Sequence, residues 1–599
     1  MGKKRKQRSV EEASAAAAPE QPDRFRKRLD PEVLAYFHEI RNHFDSLELG
    51  EERTLVADNC LQEALKQPLQ VTTDAECSRI IEVLLTSASA LTTLELVEGL
   101  LEGDAWLTVS TNPFGSHVAE KLLEAMCSLQ NSSPEVEQRF SKVLESLNKE
   151  MALRVHDLIV DRYGSHVARS FLCLLAGFDV LQPGDTKDKG AIKQGLAARM
   201  SSAGTAAAAQ EVWYPQHLAS FAGAVMQGQH PSALAHLLPA HQHGSPFLQA
   251  LLMAVSGNEE LLHKLIQGIV RYPQSASILK KAPSSPPLFD SSDRERLQAL
   301  MKEGTCSHVV EVIIKVAPTQ LRKRMYSFAL EGSLLHLAQH PMANFVVQAY
   351  IATVTTTPQM KALMKELGQS FGELLAQHRA GVVAALVAAA HRTGACNDAV
   401  SSSLASGLKH TGQQDCKGLA ERLMTLDSPA SLQEGQEGPL RPSPLGCTIL
   451  TQALQLSQAA AKPFADSLQQ IPATQLVRMG ACGGGSSVLE ALLEQLAGGG
   501  SKACKKLLKK LRGSYAKLAQ TPSGCFLVEK VFNVAGVKDK EVLVEELAAA
   551  TERIEAMPRG SKLLQRCGVS HFQRDPDAWK RRLASSAQLR QDFAAGMAQ

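Results

Sequence analysis

Ser116, His117 and Glu120 lie within five residues of one another in the segment NPFGSHVAEKLL, and their side chains could do chemistry. A serine beside a histidine suggests a nucleophile with its general base, oriented by a carboxylate. On a helix, however, residues i and i+1 do not face each other, so Ser116 and His117 cannot form that pair. The core sequence GSHVA recurs at 164–168, and related segments lack the histidine. The pattern predicts a structural repeat and a protein that is not an enzyme.

Metal binding is the second chemistry that these residue types suggest. A site built from His117, His166 and His308 would require distant segments to converge, without the carboxylates that usually orient histidine ligands. The twelve cysteines include no CxxC pair, and no two are closer than 17 residues. We therefore expect no metal and no cofactor, and reduced cysteines that act as small core residues of an intracellular protein.

Segments similar to the first recur along the chain at a regular spacing. With Gly115 as the reference, eleven positions are equivalent, numbered here as repeats 1 to 11: Cys77, Gly115, Gly164, Gly244, Cys306, Ala343, Gly381, Gly446, Gly485, Gly524 and Gly560. Successive positions are 36 to 39 residues apart, with longer insertions at four junctions. A fixed period of this length predicts an array of stacked repeats.

Each repeat is expected to contain two helices, separated by a short break with proline or glycine. In the first helix of repeat 10, Cys504, Leu507, Leu508 and Leu511 recur at i, i+3, i+4 and i+7, while lysines occupy another face. The second helix, called the motif helix below, begins at the repeated segment. Alternating Val/Ile/Thr runs are scarce, so the sequence predicts an all-α solenoid of about eleven repeats.

The repeats define the expected domain boundaries. The array is predicted at 30–575, after a disordered basic tail at 1–29 and before a C-terminal extension at 576–599, with surface insertions near 180–210, 280–294 and 400–442. Whether a further degenerate repeat lies between 164 and 244 is left open by the sequence. The tail carries two basic clusters typical of a two-part nuclear import signal, and a solvated disordered tail is the compatible alternative. No apolar run long enough for a signal peptide or a membrane span is present, so we expect no membrane association.

Near the start of the motif helix, three positions repeat in character: a small polar residue, a flat or long side chain, and three residues later a carboxylate, amide or guanidinium. These first, middle and third positions are Ser78, Arg79 and Glu82; Ser116, His117 and Glu120; Ser165, His166 and Arg169; Ser307, His308 and Glu311; Asn344, Phe345 and Gln348; Ser486, Ser487 and Glu490; Cys525, Phe526 and Glu529; and Ser561, Lys562 and Gln565. We expect all three side chains to be exposed. The first and third can contact the edge of a nucleobase, and the middle one can stack on its face. A serine that merely caps the helix, with a solvated carboxylate, is the alternative for any one repeat.

These residues resemble the pumilio (PUF) family of RNA-binding repeats, and the repeat count, the insertions and the basic N-terminus resemble its nucleolar branch. The resemblance extends from about residue 30, where DPEVLAYFHEI is similar to the start of that family, to about 575. It implies a right-handed, C- or U-shaped α-solenoid that binds precursor ribosomal RNA, single-stranded and structured, in the nucleus and nucleolus. It also implies a role in small-subunit biogenesis and rRNA processing, pre-ribosomal particle proteins as partners, and a monomer.

The family's side-chain code implies that Ser with Glu suits guanine, Asn with Gln uracil, and Ser with Gln adenine. Three repeats depart from the pattern. Repeat 7 would present Val382, Val383 and Leu386, and repeat 8 presents Cys447, Thr448 and Thr451. Pro246 replaces the stacking residue of repeat 4, between Ser245 and Gln249. The middle of the array is therefore expected to be silent toward bases.

Two further features leave alternatives open. The run SKACKKLLKKLRGSYAK is either a solvated helix face or a contact for phosphates, and a net charge of +3 does not decide between them. The alternative to RNA binding is an armadillo- or HEAT-like scaffold for protein partners. Such repeats are longer, about 40 to 47 residues, and do not require a polar pair at i and i+4.

Overall fold

The computed structural model describes residues 29–129, 132–177, 212–227, 238–270, 291–408, 418–426, 442–497, 502–583 and 585. Every regular element within these residues is a helix, so the expected all-α class is confirmed. None of these helices combines the length and apolarity that crossing a membrane requires. The chain folds as two compact parts, Met1–Leu261 and Leu262–Gln599.

The first part contains a leading helix and repeats 1 to 4. Its helices are Pro31–Ser46, Glu51–Ala64, Pro68–Thr73, Cys77–Leu84, Ala90–Leu100, Ala105–Thr111, Gly115–Cys127, Pro134–Leu153, Val155–Val160, Gly164–Ala176, Pro215–Gln227, Leu238–Ala240 and Gly244–Ala254. The leading helix starts where the sequence predicted it, with Asp30 accepting a hydrogen bond from the Glu32 amide at 3.0 Å and Pro31 in the first turn.

The second part contains repeats 5 to 11. Its first helix, Glu259–Val270, begins just before the boundary, and the others are Ser291–Lys302, Gly304–Val316, Thr319–Met325, Leu334–Gln339, Ala343–Ala352, Thr357–Leu367, Phe371–Ala376, Ala380–Thr393, Asn397–Leu408, Leu419–Thr425, Pro444–Leu454, Gln458–Gln470, Ala473–Gly480, Gly483–Ala497, Lys502–Leu511, Tyr515–Ala519, Gly524–Val534, Val537–Ala548, Thr551–Glu555, Gly560–Cys567 and Val569–Arg574. Tyr326–Leu330 is a π-helix and Gly368–Ser370 a 3₁₀-helix.

Each repeat contains three helices, so the expectation of two was wrong. In repeat 2, Ala90–Leu100 is followed by the short helix Ala105–Thr111 and then by the motif helix Gly115–Cys127. The short helix could not be predicted from the sequence because it has only seven residues in this repeat, too few to show an amphipathic period. The expected break with Pro113 lies between the short helix and the motif helix.

The helices stack in two layers. In the first part, the motif helices of repeats 1 to 4 contact one another in succession, and so do the first helices of these repeats. In the second part, the motif helices of repeats 5 to 11 form a second succession. Within motif helix 2, Val118, Leu122 and Leu123 are fully buried, as their spacing predicted. This stacking gives each repeat the apolar cover that it cannot provide for itself.

Repeat 7 differs from the sequence alignment by two residues. Val382, Val383 and Leu386 are fully buried and occupy the core positions that Val118, Ala119 and Leu122 hold in repeat 2. The expected triplet of repeat 7 was therefore wrong in register, and Ala380, Gly381 and Ala384 take the three positions instead. The glycine at 381 misled the alignment because it stands at the middle position and not at the start of the motif. The conclusion that repeat 7 cannot read a base edge is unchanged, because none of the three has a polar side chain.

The predicted boundaries of the insertions can be compared with the observed helices. Helix Asn397–Leu408, with Val400 and Leu404 fully buried, takes up the start of the insertion placed near 400–442, and Leu419–Thr425 lies within it. Ser291–Lys302 begins inside the insertion placed near 280–294. The insertion near 180–210, the tail up to residue 28 and most of the C-terminal extension lie outside the described residues. Between 164 and 244, helix Pro215–Gln227 packs on Pro134–Leu153 as the first helix of repeat 4.

The described start of the C-terminal extension packs on the array. Residues 576–583 are helical, and Trp579 within them is buried. Its ring lies 5.2 Å from that of Phe572 and 6.5 Å from that of Phe532, and its indole N–H donates to the Cys567 carbonyl at 3.3 Å. The folded array thus continues several residues past the predicted end at 575.

Candidate nucleic-acid interface

The motif helices begin at a recurrent cap that fixes the position of the triplet. In repeat 2, Asn112 Oδ1 accepts hydrogen bonds from the amides of Phe114 at 2.8 Å and Gly115 at 2.9 Å. Asp161 accepts equivalent bonds in repeat 3, from Tyr163 at 2.8 Å and Gly164 at 2.7 Å. Side chains at the same position accept from the helix start in six further repeats: Asp74, His241, Glu303, His340, Ser443 and Thr521. These oxygens and ring nitrogens satisfy amides that the helix leaves unpaired.

This cap was not predicted from the sequence, although the sequence carries a signal for it. A side chain able to accept a hydrogen bond stands three residues before most of the reference positions. The alternative in which Ser116 caps the helix is wrong, because the helix begins at Gly115 and Asn112 provides the cap. Ser116 therefore lies inside the first turn.

A small residue at the reference position lets the motif helix cross the preceding short helix closely. A Cβ atom on Gly115 would lie 2.8 Å from the Val109 carbonyl oxygen, and one on Gly164 would lie 2.8 Å from that of Leu158. Real Cβ atoms do not approach backbone oxygens so closely, so the crossing requires glycine there. The cap and the crossing together hold the next six residues in a constant orientation.

The first position of the triplet is buried in all but one of the eight predicted repeats, which corrects the expectation that it is exposed. Ser116 is 1% exposed and Ser307 is 0% exposed. The buried members are Ser78, Ser116, Ser165, Ser307, Asn344, Ser486 and Cys525, whereas Ser561 is exposed. The side chain faces the adjacent motif helices because it lies on the same side of the helix as the core residues three and seven positions later, such as Ala119 and Leu123 after Ser116.

In repeats 6 and 9, the first and third side chains bond each other across one helical turn. Ser486 donates to Glu490 Oε1 at 2.8 Å, and the Gln348 amide donates to Asn344 Oδ1 at 2.9 Å. Asn344 also donates to the carbonyls of His340 and Pro341, at 3.0 and 2.6 Å. Each pair is thus oriented before any ligand arrives, and the half-buried third residue carries the polar atoms that remain accessible. The half-buried third residues are Glu82, Glu120, Arg169, Glu311, Gln348, Glu490 and Glu529, and Gln565 is exposed.

The middle position is exposed in every one of the eight predicted repeats. Phe345 is 47% exposed and Phe526 is 42% exposed, which is unusual for a phenylalanine. The other members are Arg79, His117, His166, His308, Ser487 and Lys562. The Arg559 guanidinium lies 4.1 Å from the Phe526 ring centre, so repeat 11 places a cation on the ring of repeat 10. Arg559 was not among the predicted site residues; it stands one residue before the reference glycine of repeat 11.

The third positions of repeats 1 to 3 interact electrostatically. Burial raises the pKa of Glu120, as does Glu82 from repeat 1, while His117 and Arg169 lower it. Burial lowers the pKa of Arg169, which donates through Nε to the Ser165 carbonyl at 3.1 Å. The structure therefore brings together three predicted residues from successive repeats in one row.

Two histidines at the middle position have pKa values shifted in opposite directions. Burial first, and Arg169 second, lower the pKa of His166 to about 4, so its ring is neutral at pH 7. His308 lies 3.3 Å from the Glu311 carboxylate, and this contact raises its pKa. A neutral imidazole is a flat stacking surface, whereas a protonated one adds a positive charge beside a phosphate backbone.

Two predicted carboxylates are engaged within the array. Glu529 forms an ion pair with Arg566 of the next repeat, and Glu490 holds Ser486. In repeat 11, Ser561, Lys562 and Gln565 are all exposed and present an open triplet.

Repeats 4 and 8 depart from the pattern as the sequence indicated. Ser245 and Gln249 are both buried, with the Gln249 amide donating to Ser245 Oγ at 3.3 Å. Between motif helices 8 and 9 lies an open groove of about 450 Å³, lined in part by Thr448, Thr451 and Ser487. The groove exists because these residues are small where other repeats carry a ring or a long side chain.

Within the described residues, no group of three or more His, Cys, Asp or Glu side chains is arranged to hold a metal ion. The three histidines His117, His166 and His308 stand in separate repeats, each at its own middle position.

Comparison with known proteins identifies related sequences and structures. The family described as "NOP9-like PUF repeat domain" matches residues 66–561. "Pumilio homolog 23" of Arabidopsis thaliana is 27% identical over 95% of this chain and 75% of its own length. "Nucleolar protein 9" of Homo sapiens is 25% identical over 94% of this chain and 90% of its own length. The solved structure described as "Structure of APUM23-GGAAUUGACGG" superimposes with a TM-score of 0.81 at 26% identity, covering 93% of this chain and 100% of its own.

Proposed function

Since the chain belongs to the NOP9-like PUF repeat family, an RNA-binding family of nucleolar proteins, we propose that it binds precursor ribosomal RNA along its motif helices. In this proposal it acts in the nucleolus, supports small-subunit biogenesis and rRNA processing together with pre-ribosomal particle proteins, and works by binding without catalysis. The family assignment replaces the armadillo- or HEAT-like scaffold as the account of the array.

One observation carries the proposal. At the same point of eight motif helices, the middle side chain is exposed. In seven of the eight, the first residue is buried and the third is half-buried. A scaffold that binds proteins has no need of such a constant arrangement, whereas a base requires one surface for its face and one polar group for its edge. Because the motif helices contact one another in succession within each part, these sites follow one another as bases do along a strand.

The geometry suggests how one repeat binds one base. The middle side chains of neighbouring repeats hold the base by stacking, at about 1 to 3 kcal/mol for each base. The third side chain presents its polar atoms to the base edge. In repeats 6 and 9 it is already oriented by its bond to the first side chain, so little side-chain entropy is lost there when the RNA arrives.

The names of the related proteins support RNA as the ligand and the nucleolus as the place where the protein acts. The APUM23 structure carries the sequence GGAAUUGACGG in its description, and the uracils identify an RNA. Several relatives are named for the nucleolus. These names support precursor ribosomal RNA as the class of ligand.

The test is binding to two RNAs: the oligonucleotide GGAAUUGACGG and a precursor transcript spanning the 3′ end of the small-subunit RNA. Wild type is compared with the double variant Ser116→Ala, Glu120→Ala. The matched control is Glu145→Ala, which also removes a carboxylate but from the first helix of repeat 3, where Glu145 pairs with Lys149 at 2.7 Å.

We expect wild type and control to bind alike, and the double variant to bind about 5- to 150-fold more weakly, the effect of removing one base contact worth about 1 to 3 kcal/mol. If wild type binds neither RNA at moderate salt, the proposed function is wrong. If the double variant binds as tightly as wild type, repeat 2 reads no base.

A further inference from the structure

The first helix of repeat 10, Lys502–Leu511, has two opposed faces. Cys504, Leu507, Leu508 and Leu511 are buried, and Leu511 is fully so. This stripe packs on the short helix Ala473–Gly480 and the motif helix Gly483–Ala497 of repeat 9. The opposite face carries Lys502, Lys505, Lys506 and Lys509, which are all exposed. We call these four residues the lysine row.

The lysine row differs from the other basic residues nearby because its charges are not used within the protein. Across the described part of the chain, none of the four ammonium groups has a hydrogen-bond or ion-pair partner. Lys510, in contrast, donates to the carbonyls of Gln469 and Ile471 at 2.7 and 2.8 Å and closes the end of helix Gln458–Gln470. Arg512 pairs with Asp539 at 2.6 Å.

The two helices on which the apolar stripe packs offer the lysine row no unpaired carboxylate, and Asp539 of the next first helix, Val537–Ala548, which lies close enough to act on Cys504, pairs with Arg512. Ala473–Gly480 contributes a single charged residue, Arg478, which is itself positive. Gly483–Ala497 contributes Glu490 and Glu494, which are engaged with Ser486 and Lys530 respectively. The helix Lys502–Leu511 contains no acidic residue at all. Like charges at i, i+3, i+4 and i+7 repel one another, so the row is a local cost to the free protein that a polyanion would relieve.

The chemistry of the row favours phosphates over a protein surface. Lysine is depleted from the centres of protein interfaces, which are built around aromatic and other apolar anchors. None of the large hydrophobic side chains that are exposed in the described residues lies on this helix. A compact ammonium group on a flexible stem is suited to contact phosphate oxygens as a point charge.

The composition of the row favours a duplex over a single strand. Binding of single strands relies on aromatic residues that stack with bases, and this helix has none. Duplex RNA is recognised through its phosphates and shape, because side chains cannot enter its deep major groove. Four lysines within eight residues of helix extend about 10 Å along the axis, a length that spans successive phosphates.

We propose that the lysine row binds the phosphate backbone of an A-form RNA duplex, independently of the single strand held by the motif helices. This inference goes beyond the proposed function: it adds a second RNA-binding face, specific for shape and not for sequence. An RNA with a helical stem next to an unpaired segment would then contact two layers of the same array.

The experiment measures binding of the full chain to a 16-base-pair RNA duplex of unrelated sequence, about the span of a typical duplex-binding domain, and separately to single-stranded GGAAUUGACGG, over a range of salt concentrations. The variant replaces Lys505, Lys506 and Lys509 with glutamate. The control is Lys361→Glu with Lys365→Glu, two exposed lysines of the first helix of repeat 7. Thermal unfolding of each variant reports whether the fold is retained, and a second variant with glutamine at the same three positions tests the removal of charge without reversal.

We expect the lysine-row variants to bind the duplex at least about tenfold more weakly, and the slope of log affinity against log salt to fall by about one for each phosphate that the variant no longer binds. Binding of the single strand should stay close to that of wild type, and the control should bind the duplex as wild type does. The proposal is overturned if the row variants keep wild-type duplex affinity, if the control is weakened as much, or if binding of both RNAs is weakened equally. Failure of wild type to bind the single strand would instead contradict the proposed function. The duplex measurement would still test the lysine row independently.

Discussion

At the scale of the residue, the middle position of the triplet carries apolar surface that the fold leaves exposed. Among the described residues, eight large hydrophobic side chains are exposed, and two of them, Phe345 and Phe526, stand at this position. A nearly half-exposed aromatic ring at this position offers a flat surface on which a base can stack. Stacking of a base on the ring is the interaction that the rest of the triplet supports.

We predict that Phe345→Ala and Phe526→Ala each weaken RNA binding by about 1 to 3 kcal/mol while changing stability little, because the rings are nearly half exposed. The measurement is RNA affinity together with thermal unfolding. Leu153→Ala is the control, since Leu153 is 71% exposed but lies at the end of the first helix of repeat 3. An equally weakened control, or no effect in either phenylalanine variant, would contradict stacking at these rings.

The pKa of His166 provides a prediction about pH. Its folded value of about 4 is below the ordinary value of 6.5, so protonation favours the unfolded state. Stability from this residue is present above pH 6.5 and declines as the pH falls from 6.5 toward 4. His308 behaves in the opposite sense, because Glu311 raises its pKa and its contribution declines as the pH rises through that value.

Nuclear magnetic resonance titration of the histidine ring protons can check both directions in one sample. We expect the His166 signal to titrate near pH 4 and the His308 signal above pH 6.5. His166→Gln should flatten the decline in unfolding free energy between pH 6.5 and 4. A His166 midpoint at or above 6.5 would show that the ring is not shielded as the structure indicates.

At the scale of the element, the close crossing of the short helix and the motif helix sets the position of the triplet. We predict that Gly164→Ala destabilises the protein by about 1 to 3 kcal/mol, because the new Cβ would lie 2.8 Å from the Leu158 carbonyl oxygen and force the helices apart. Gly223→Ala is the matched control: it lies inside helix Pro215–Gln227 with no atom within 4 Å of a Cβ. There, alanine should stabilise the helix by up to about 1 kcal/mol.

Chemical denaturation of the two variants measures the difference. A change of opposite sign is expected at the two glycines. If Gly164→Ala is neutral, the crossing is not the element that fixes the motif helix.

The elements also show what the sequence could predict. The periodic stripes and the repeated motif were enough for the helical class, the positions of the motif helices and the inward direction of Val118 and Leu122. The short helices were not predicted because all but Ser291–Lys302 have only three to eight residues, too few to show a reliable period. The register of repeat 7 could not be predicted from the sequence because Gly381 was aligned with the reference glycine. The two-residue shift is visible only from the burial of Val382 and Val383.

The site was predictable in the types of its residues but less so in their exposure. Helical spacing correctly placed Ser116 and Glu120 on one side of the helix. It could not show that neighbouring motif helices bury the first residue, because that depends on packing between repeats distant in sequence. The cap at Asn112 was visible as a recurring polar residue, and its role became clear only from its hydrogen bonds.

At the scale of the whole molecule, the motif helices and the first helices differ in chemistry. The motif helices present rings and edge-reading groups, and the first helix of repeat 10 presents uncompensated lysines. Family membership is established by the match over residues 66–561.

The most direct measurement of the central claim is photo-crosslinking of a bound precursor-rRNA segment, with each crosslinked nucleotide assigned to a peptide of the protein. We predict that the crosslinked peptides contain middle-position residues such as His117, Phe345 and Phe526, in an order along the chain that follows the order of nucleotides along the RNA. Crosslinks confined to the first helices of the repeats, or motif-helix crosslinks without such an order, would contradict the claim that successive repeats bind successive bases.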